Sequence, residues 1–215
     1  YGKIKPVILE AKKKKLNYVI FATGSHLLKE YSKTINQIKK DFGSRNIISF
    51  SNQKFGDNHQ TIFRNTVNKL TKLLKNKKFD CFFIHGDRVE TLAAASVLTF
   101  SKIKIAHIEG GELSGTVDEM IRHSVSKLSN HHFVSNNISK NRLIQMGEDK
   151  KNISIIGSPD LDILLSKSLP NILQVKKRYS VKFDKYAVLI FHPVFSEFKN
   201  IKNQISHLVK ATQIS

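Results

Sequence analysis

An α/β fold with a Rossmann-like, doubly wound parallel sheet is predicted by two features of the sequence. Short apolar runs alternate with segments of helical periodicity along all 215 residues, as is typical of α/β domains. Two of these runs, residues 80–87 and 102–109, each end in a histidine, a carboxylate and glycine, and an apolar helical segment lies between them. A strand–helix–strand unit of this kind requires its two strands to be parallel.

The first part of the chain predicts helices and strands in alternation. Apolar residues at helical spacing, with Pro6 in the first turns, predict a helix over residues 1–15. An amphipathic pattern that places Leu70 and Leu74 on one face predicts a long helix over residues 57–77. Weaker periodicity predicts a helix over residues 27–40, and short apolar runs predict strands over residues 16–22, 46–50 and 79–85.

The same alternation continues to residue 168 and then restarts. Residues rich in Ala, Leu and Val predict a buried helix over residues 89–100, and further helices are predicted over residues 116–130 and 137–146. Apolar runs predict strands over residues 131–134 and 153–156. After the restart, the pattern predicts a helix, a strand and a helix over residues 172–179, 186–191 and 198–211. We therefore expect a first domain over residues 1–168 and the start of a second over residues 169–215.

Composition limits the kind of protein and ligand. Hydrophobic residues make up 40% of the sequence, which supports a core. No apolar run approaches the roughly 20 residues that span a bilayer, so no membrane association is expected. Lys and Arg outnumber Asp and Glu by 36 to 17, giving a net charge of +19. Many lysines end predicted helices, where cations are favourable. We therefore expect a small anionic ligand and no nucleic acid. Cys81 is the single cysteine, which favours a cytoplasmic location.

Acidic and basic side chains gather at the carboxyl ends of the predicted strands, the edge where open parallel sheets bind ligands. Asp87 follows one strand and Glu109 follows the next. Thr116 and Glu119 have the spacing of a capping box, which predicts a helix N-terminus and hence an anion site at this edge. Carboxylates suit proton transfer, whereas arginines and helix N–H groups suit a phosphate leaving group. The other residues expected at this edge are Arg88, Asp118, Arg122 and His123.

Less specific interpretations of the same residues stay open. Asp118 and Arg122 lie four positions apart on one helix face and can form a surface ion pair, and Glu109 can cap a turn. His26 follows the first predicted strand and fits a structural role as well as a ligand contact. A His-x-Asp and a His-x-Glu pair follow the two strands, but the Asp-x-His and Gly-Asn-His motifs of metal-dependent phosphoesterases are absent, so no metal is expected.

A combination of motifs resembles the hydrolysing UDP-N-acetylglucosamine 2-epimerases, and the resemblance runs from Tyr1 to about Glu197. The longest motifs are His85-Gly86-Asp87-Arg88, His107-Ile108-Glu109-Gly110-Gly111-Glu112, and Ser114-Gly115-Thr116-Val117-Asp118 with Ile121-Arg122-His123. The shorter ones are Thr23-Gly24-x-His26-Leu27, Gly157-Ser158-Pro159 and Phe191-His192-Pro193-Val194.

The resemblance implies a GT-B fold, in which two Rossmann-like domains bind a UDP-sugar without a cofactor, and a homo-oligomer. It implies elimination of UDP to a 2-acetamidoglucal, then addition of water to give N-acetylmannosamine (ManNAc), a precursor of sialic acids. It assigns catalysis to Asp87, Glu109 and Asp118, with Asp118 as the base at C2. The substrate-binding residues it indicates are His26, Arg88, Glu112, Ser114, Arg122, His123 and, at the diphosphate, His192.

Two departures from the family pattern and three alternatives accompany this interpretation. The family begins with a strand and Gly-Thr/Ser-Arg-Ala-Asp-Tyr-Gly, whereas this sequence starts at Tyr1-Gly2 and also lacks most of the second domain. We therefore expect the 215 residues to be inactive by themselves. The alternatives are the same chemistry on a UDP-2,4-diacetamido-2,4,6-trideoxyhexose, a GT-B glycosyltransferase, and a non-catalytic sugar-nucleotide-binding protein.

Overall fold

The computed structural model describes residues 1–166, 169–192 and 200–213. The chain forms two compact units, Tyr1–Leu169 and Pro170–Ser215. Among the described helices, none is both long enough and apolar enough to cross a membrane.

The strands that the structure describes are all parallel and lie in the first unit. β1 (Ile20–Ala22) pairs with β2 (Ile47–Ser49) in a two-stranded sheet. A separate four-stranded sheet contains, in spatial order, β3 (Cys81–His85), β4 (Lys104–Ile108), β5 (His131–Val134) and β6 (Ile153–Ile155). These parallel strands, joined by helices, confirm the predicted α/β class.

Helices alternate with the strands as predicted. They are α1 (Lys5–Lys13), α2 (Ile35–Phe42), α3 (His59–Leu74), α4 (Val89–Phe100), α5 (Val117–Lys127), α6 (Asn137–Gln145) and α7 (Asp160–Leu164). The side chains of Asn58, Thr116 and Asn136 cap α3, α5 and α6, because each accepts a backbone N–H of the first turn.

Residues 27–34 are not α-helical, and the prediction of a helix from residue 27 is wrong there. The chain makes two short 3-10 turns, Gly24–Leu27 and Lys29–Tyr31, before α2 begins at Ile35. Ser32 and Lys33 have φ angles of 60° and 44°. This left-handed backbone cannot continue a right-handed helix, so α2 starts only after it.

The main core lies between one face of β3 and β4 and the helices α3, α4 and α5. Ala93, Ala95 and Leu98 of α4 are 0% exposed, which confirms that α4 is a buried helix. Leu98 belongs to the same cluster as Ile84 of β3 and Ile105 of β4. Each buried Leu or Ile side chain stabilises the fold by about 1.5–3 kcal/mol. A separate cluster joins α1, α2 and β1.

The described part of the second unit contains α8 (Ile172–Arg178) and α9 (Ile201–Gln213). A capping box formed by Asn171 and Gln174 starts α8. The prediction of a strand over residues 186–191 is wrong, because these residues form no strand. A strand needs a neighbouring strand for its N–H and C=O groups, and the described residues of this unit supply none. The predicted start of the last helix, Phe198, lies outside the described residues.

Candidate active site

The carboxyl ends of β3 and β4 bring Asp87 and Glu109 to the same edge of the sheet, as the sequence predicts. His85 and Ile108, the last residues of the two strands, pair in register. The Gly86 N–H donates to the carbonyl of Ile108 at 3.1 Å, which carries the pairing one residue further.

Glu109 turns the chain sharply where β4 ends. Its φ angle is 61°, a left-handed conformation that is uncommon for a residue other than glycine and costs about 1–3 kcal/mol. Its N–H donates to the Phe133 carbonyl of β5 at 2.8 Å, which holds the turn in place. Gly111 follows with a φ of 77°, and a Cβ there would lie 2.5 Å from the Ser139 carbonyl oxygen, so the turn requires glycine.

Three side chains from three separate segments donate hydrogen bonds to the Glu109 carboxylate, which is only 6% exposed. Lys3 Nζ, before α1, lies 2.6 Å from Oε2, and His85 Nε2, at the end of β3, lies 2.7 Å from Oε2. Ser158 Oγ, between β6 and α7, donates to Oε1 at 2.8 Å. Burial by itself raises the pKa of Glu109, but the hydrogen bonds from His85, Lys3 and Ser158 outweigh it and lower the pKa to about 2.

Asp87 is held by Arg122, a residue of α5 whose side chain is 8% exposed. Arg122 donates one guanidinium N–H to the Asp87 carboxylate and another to the Glu112 carbonyl oxygen at 2.8 Å. The Glu112 side chain in turn accepts from the Ser135 hydroxyl. The alternative in which Arg122 forms a surface ion pair with Asp118 is therefore wrong, because Arg122 is buried against Asp87.

Asp118 lies in the first turn of α5, one helical turn before Arg122, and is exposed. Its side chain contacts no partner among the residues that the structure describes. Asp118 and Arg122 lie one turn apart on α5, and no hydrogen bond joins the three predicted catalytic carboxylates in the described part of the chain. The structure therefore groups Glu109 with its three donors and Asp87 with Arg122, and it leaves Asp118 open.

The predicted capping box at the start of α5 does not form. Thr116 accepts from the Asp118 N–H at 3.3 Å, and the Glu119 carboxylate accepts from the Ser114 and Gly115 N–H groups at 2.7 and 2.8 Å. These backbone donors lower the pKa of Glu119. A capping box would need Glu119 to accept the Thr116 N–H. Glu119 instead accepts two N–H groups of the preceding loop and holds that loop in place.

The remaining predicted binding residues of the first unit are His26, in the turn after β1, Arg88, at the start of α4, and His123, in α5. His26 Nδ1 lies 2.6 Å from Thr34 Oγ1, and burial lowers the pKa of His26. The Arg88 side chain is 69% exposed and lies 3.6 Å from the Glu90 carboxylate. His123 follows Arg122, and its Nδ1 is buried with no hydrogen-bond partner among the described residues. Burial is the largest cause of its lowered pKa.

His192 belongs to the second unit, where it is exposed. Its role at the diphosphate stays a prediction.

Lys3 and Ser158 contact the site but were not among the predicted site residues. Lys3 and Glu109 are 106 positions apart, and Ser158 and Glu109 are 49 apart, so no local spacing links them. The signal that could have found them is indirect, since Lys3 follows Tyr1-Gly2 and Ser158 lies in the motif Gly157-Ser158-Pro159.

His107, which shares its motif with Glu109, has a structural role. Its ring lies between the Gly86 carbonyl oxygen, 2.9 Å from Nε2, and Ser126 Oγ, 3.1 Å from Nδ1, and it is 0% exposed. Burial lowers the pKa of His107 to about 3, so the ring is neutral at pH 7. Within residues 1–166, 169–192 and 200–213, no three His, Cys, Asp or Glu side chains are grouped as a metal ion would need.

Comparison with known proteins decides the family. A family model described as UDP-N-acetylglucosamine 2-epimerase matches residues 9–214. The chain belongs to this family. It is 39% identical, over 216 aligned positions and 100% of its length, to a UDP-N-acetylglucosamine 2-epimerase of Neisseria meningitidis serogroup B. It is also 38% identical, over 89% of its length, to a hydrolysing UDP-N,N'-diacetylbacillosamine 2-epimerase of Legionella pneumophila. The chain spans 57% and 52% of these two relatives.

Solved structures of the family confirm the fold. The structure of Methanocaldococcus jannaschii UDP-GlcNAc 2-epimerase in complex with UDP-GlcNAc and UDP superposes with a TM-score of 0.77 at 22% identity. That superposition covers 99% of this chain and 60% of the other. UDP-GlcNAc 2-epimerase from Neisseria meningitidis, solved with UDP-GlcNAc, gives a TM-score of 0.67 at 27% identity, covering 84% and 48%. The GT-B type fold indicated by the motifs is therefore confirmed.

Proposed function

We propose that this chain carries the catalytic carboxylates of a hydrolysing UDP-N-acetylglucosamine 2-epimerase, which converts UDP-N-acetylglucosamine and water into UDP and ManNAc. The observation that carries this proposal is the ionised, almost buried Glu109 beside Asp87 at one edge of a parallel sheet. Relatives named for 2-epimerase chemistry on UDP-N-acetylglucosamine and on diacetylbacillosamine support it.

The chemistry requires groups that stay charged. The C2 proton of the sugar is weakly acidic, so the bond from C1 to the diphosphate oxygen breaks ahead of proton removal and its electron pair leaves with UDP. Positive charge then builds at C1. A base takes the C2 proton, and the C–H electrons form the C1–C2 double bond. Water then adds its oxygen to C1 and releases a proton, while a solvent-derived proton is delivered to C2 on the face opposite to the one from which the base removed it, which gives ManNAc.

Glu109 suits the stabilising role in this sequence. Because its pKa is lowered to about 2, Glu109 is a carboxylate at neutral pH and does not donate a proton. Its negative charge can stabilise the positive charge at C1, and it can orient the incoming water by accepting a hydrogen bond from it. Asp87, which pairs with the buried Arg122, supplies a second carboxylate at the same edge of the sheet.

Asp118 suits the role of base at C2. It is exposed in the first turn of α5, and no described side chain competes for its oxygens. A base must approach the proton within about 2.6–3.2 Å, which an unpaired carboxylate can do without first breaking a protein hydrogen bond. His192 at the diphosphate, a cytoplasmic homo-oligomer and a place in sialic acid biosynthesis complete the proposal. An Escherichia coli polysialic acid biosynthesis protein, 31% identical over 88% of this chain, supports the last of these.

A second substrate is favoured by the comparisons. Two relatives, 38% and 35% identical to this chain, are named hydrolysing 2-epimerases of diacetylbacillosamine nucleotides. The elimination and hydration steps would be the same on that sugar, and only the groups at C4 and C6 differ.

The experiment that tests the function uses the protein expressed from the whole open reading frame that encodes this chain. The protein is incubated in D2O with UDP-N-acetylglucosamine and, separately, with UDP-N,N'-diacetylbacillosamine, and products are followed by NMR. We expect UDP and free ManNAc that carries deuterium at C2. Turnover of the second sugar alone would change the substrate and keep the chemistry. Transfer to an acceptor, or binding of both sugars without UDP release, would contradict the proposal.

A further inference from the structure

The protein fills almost all the acceptor positions of the Glu109 carboxylate. An ionised carboxylate offers about four such positions, two on each oxygen. Oε2 accepts from Lys3 Nζ at 2.6 Å and from His85 Nε2 at 2.7 Å, which uses both of its positions. Among the described residues, Oε1 accepts only from Ser158 Oγ, at 2.8 Å. One acceptor position is therefore left, and it belongs to Oε1.

We propose that Glu109 Oε1 is the oxygen that meets the reacting sugar or the incoming water, and that Ser158 is the positioning residue that aims it. This inference rests on the proposed function and deepens it by naming the atom. The Ser158 hydroxyl makes no second hydrogen bond with the described residues, so the contact with Glu109 alone sets the direction of the hydroxyl.

The backbone around Ser158 is itself fixed. Ser158 follows Gly157, which has a φ of 75°, and precedes the buried Pro159 that begins α7. The Ser158 carbonyl oxygen accepts from the Leu161 N–H at 3.1 Å. The hydroxyl therefore joins a constrained loop after β6 to the constrained turn at Glu109 after β4.

The two oxygens of Glu109 should respond differently to loss of Ser158. Oε2 would stay anchored by its two donors, whereas Oε1 would lose its single donor and its direction. A misplacement of about 1 Å in a reacting group can slow catalysis by about 10²-fold. The contact does not involve the leaving UDP, so we expect substrate affinity to change little.

The test compares three variants of the whole protein: Ser158→Ala, Ser158→Thr, which keeps a hydroxyl, and Ser96→Ala. Ser96 donates to the Leu92 carbonyl inside α4, so its variant controls for loss of a hydroxyl elsewhere. We expect Ser158→Ala to lower kcat for UDP-N-acetylglucosamine at least tenfold with KM within about twofold. Ser158→Thr should restore most of kcat, and Ser96→Ala should match the wild type.

A second measurement works without turnover. With 13C-labelled glutamate in the 215-residue chain, the Glu109 carboxyl resonance at pH 7 should move in Ser158→Ala and stay in place in Ser96→Ala. An unmoved resonance, or a Ser158→Ala enzyme with kcat within twofold of wild type, would overturn the inference. So would a Ser158→Thr enzyme as slow as Ser158→Ala. A wild type that turns over neither sugar would instead refute the proposed function, and the resonance would still decide the contact.

Discussion

Glu109 and Asp118 are two carboxylates at one edge of the sheet, and the fold treats them in opposite ways. Glu109 is almost buried, lies on a left-handed turn and accepts hydrogen bonds from three distant segments. Asp118 is exposed at the start of a helix and has no side-chain partner among the described residues. The contrast supports the proposed roles, in which the fixed charge of Glu109 stabilises the reacting carbon and the unpaired carboxylate of Asp118 removes a proton.

The largest expected effect comes from the unpaired carboxylate. Asp118→Asn removes the proposed base, so we expect kcat of the whole protein to fall by about 10³-fold. Stability should fall by no more than about 1 kcal/mol, because Asp118 contributes only its charge at the N-terminus of α5. Asp162→Asn, an exposed change in the first turn of α7, is the matched control for that charge and should keep full activity. An Asp118→Asn enzyme that keeps its activity would show that Asp118 is not the base at C2.

The fixed carboxylate should affect both activity and stability. Glu109→Gln removes the charge that Lys3 and His85 contact. We therefore expect kcat to fall by about 10²-fold and the free energy of unfolding to fall by about 1–3 kcal/mol. Glu148→Gln is the matched control, since Glu148 is 12% exposed and its carboxylate lies 2.7 Å from Lys127 Nζ. Glu148 follows α6 and does not belong to the candidate site. That control should lose stability while keeping kcat. Equal losses of activity in Glu109→Gln and Glu148→Gln would contradict a specific role of Glu109 in catalysis.

The ion pair between Arg122 and Asp87 can be tested by its effect on stability. Arg122→Met leaves Asp87 without its partner in a half-buried place, which should lower the free energy of unfolding by about 2–4 kcal/mol. Urea unfolding of the 215-residue chain measures this effect, with the exposed Arg45→Met as the control. A loss no larger than that of the control would mean that the Asp87–Arg122 pair is not held as the structure shows.

The smallest expected effect concerns the buried neutral His107. Its pKa is lowered to about 3 in the folded chain, against 6.5 as the ordinary value. Between these two values only the unfolded state binds the extra proton, so stability is lost as pH falls from 6.5 toward 3, at most by about 1.4 kcal/mol per pH unit. His107→Gln should flatten this dependence between pH 7 and 5, measured by urea midpoints. An unchanged slope would assign the proton to another group.

Local patterns predict most of the fold. Helices and strands of the first unit follow from apolar periodicity, and the buried α4 follows from its run of Ala, Leu and Val. The two wrong predictions concern features that apolar periodicity does not encode. Residues 186–191 have strand-like sequence but no partner strand in the described residues, and Ser32 and Lys33 interrupt a weakly periodic stretch with left-handed backbone.

The candidate site was only partly predictable for the same reason. Asp87 and Glu109 follow from the rule that parallel strands end together, since each residue lies just beyond its strand. The pairing of Arg122 with Asp87, 35 positions away, in preference to Asp118, depends on how α5 packs against the strand ends. Lys3 and Ser158 reach Glu109 only through the tertiary fold.

A crystal structure of the whole protein with UDP-N-acetylglucosamine would show which carboxylates face C1 and C2 of the sugar. We expect an oxygen of Asp118 about 3–3.5 Å from C2, and Glu109 Oε1 and Asp87 on the sugar near C1. A bound sugar whose C1 and C2 face away from Glu109 and Asp118 would contradict this expectation.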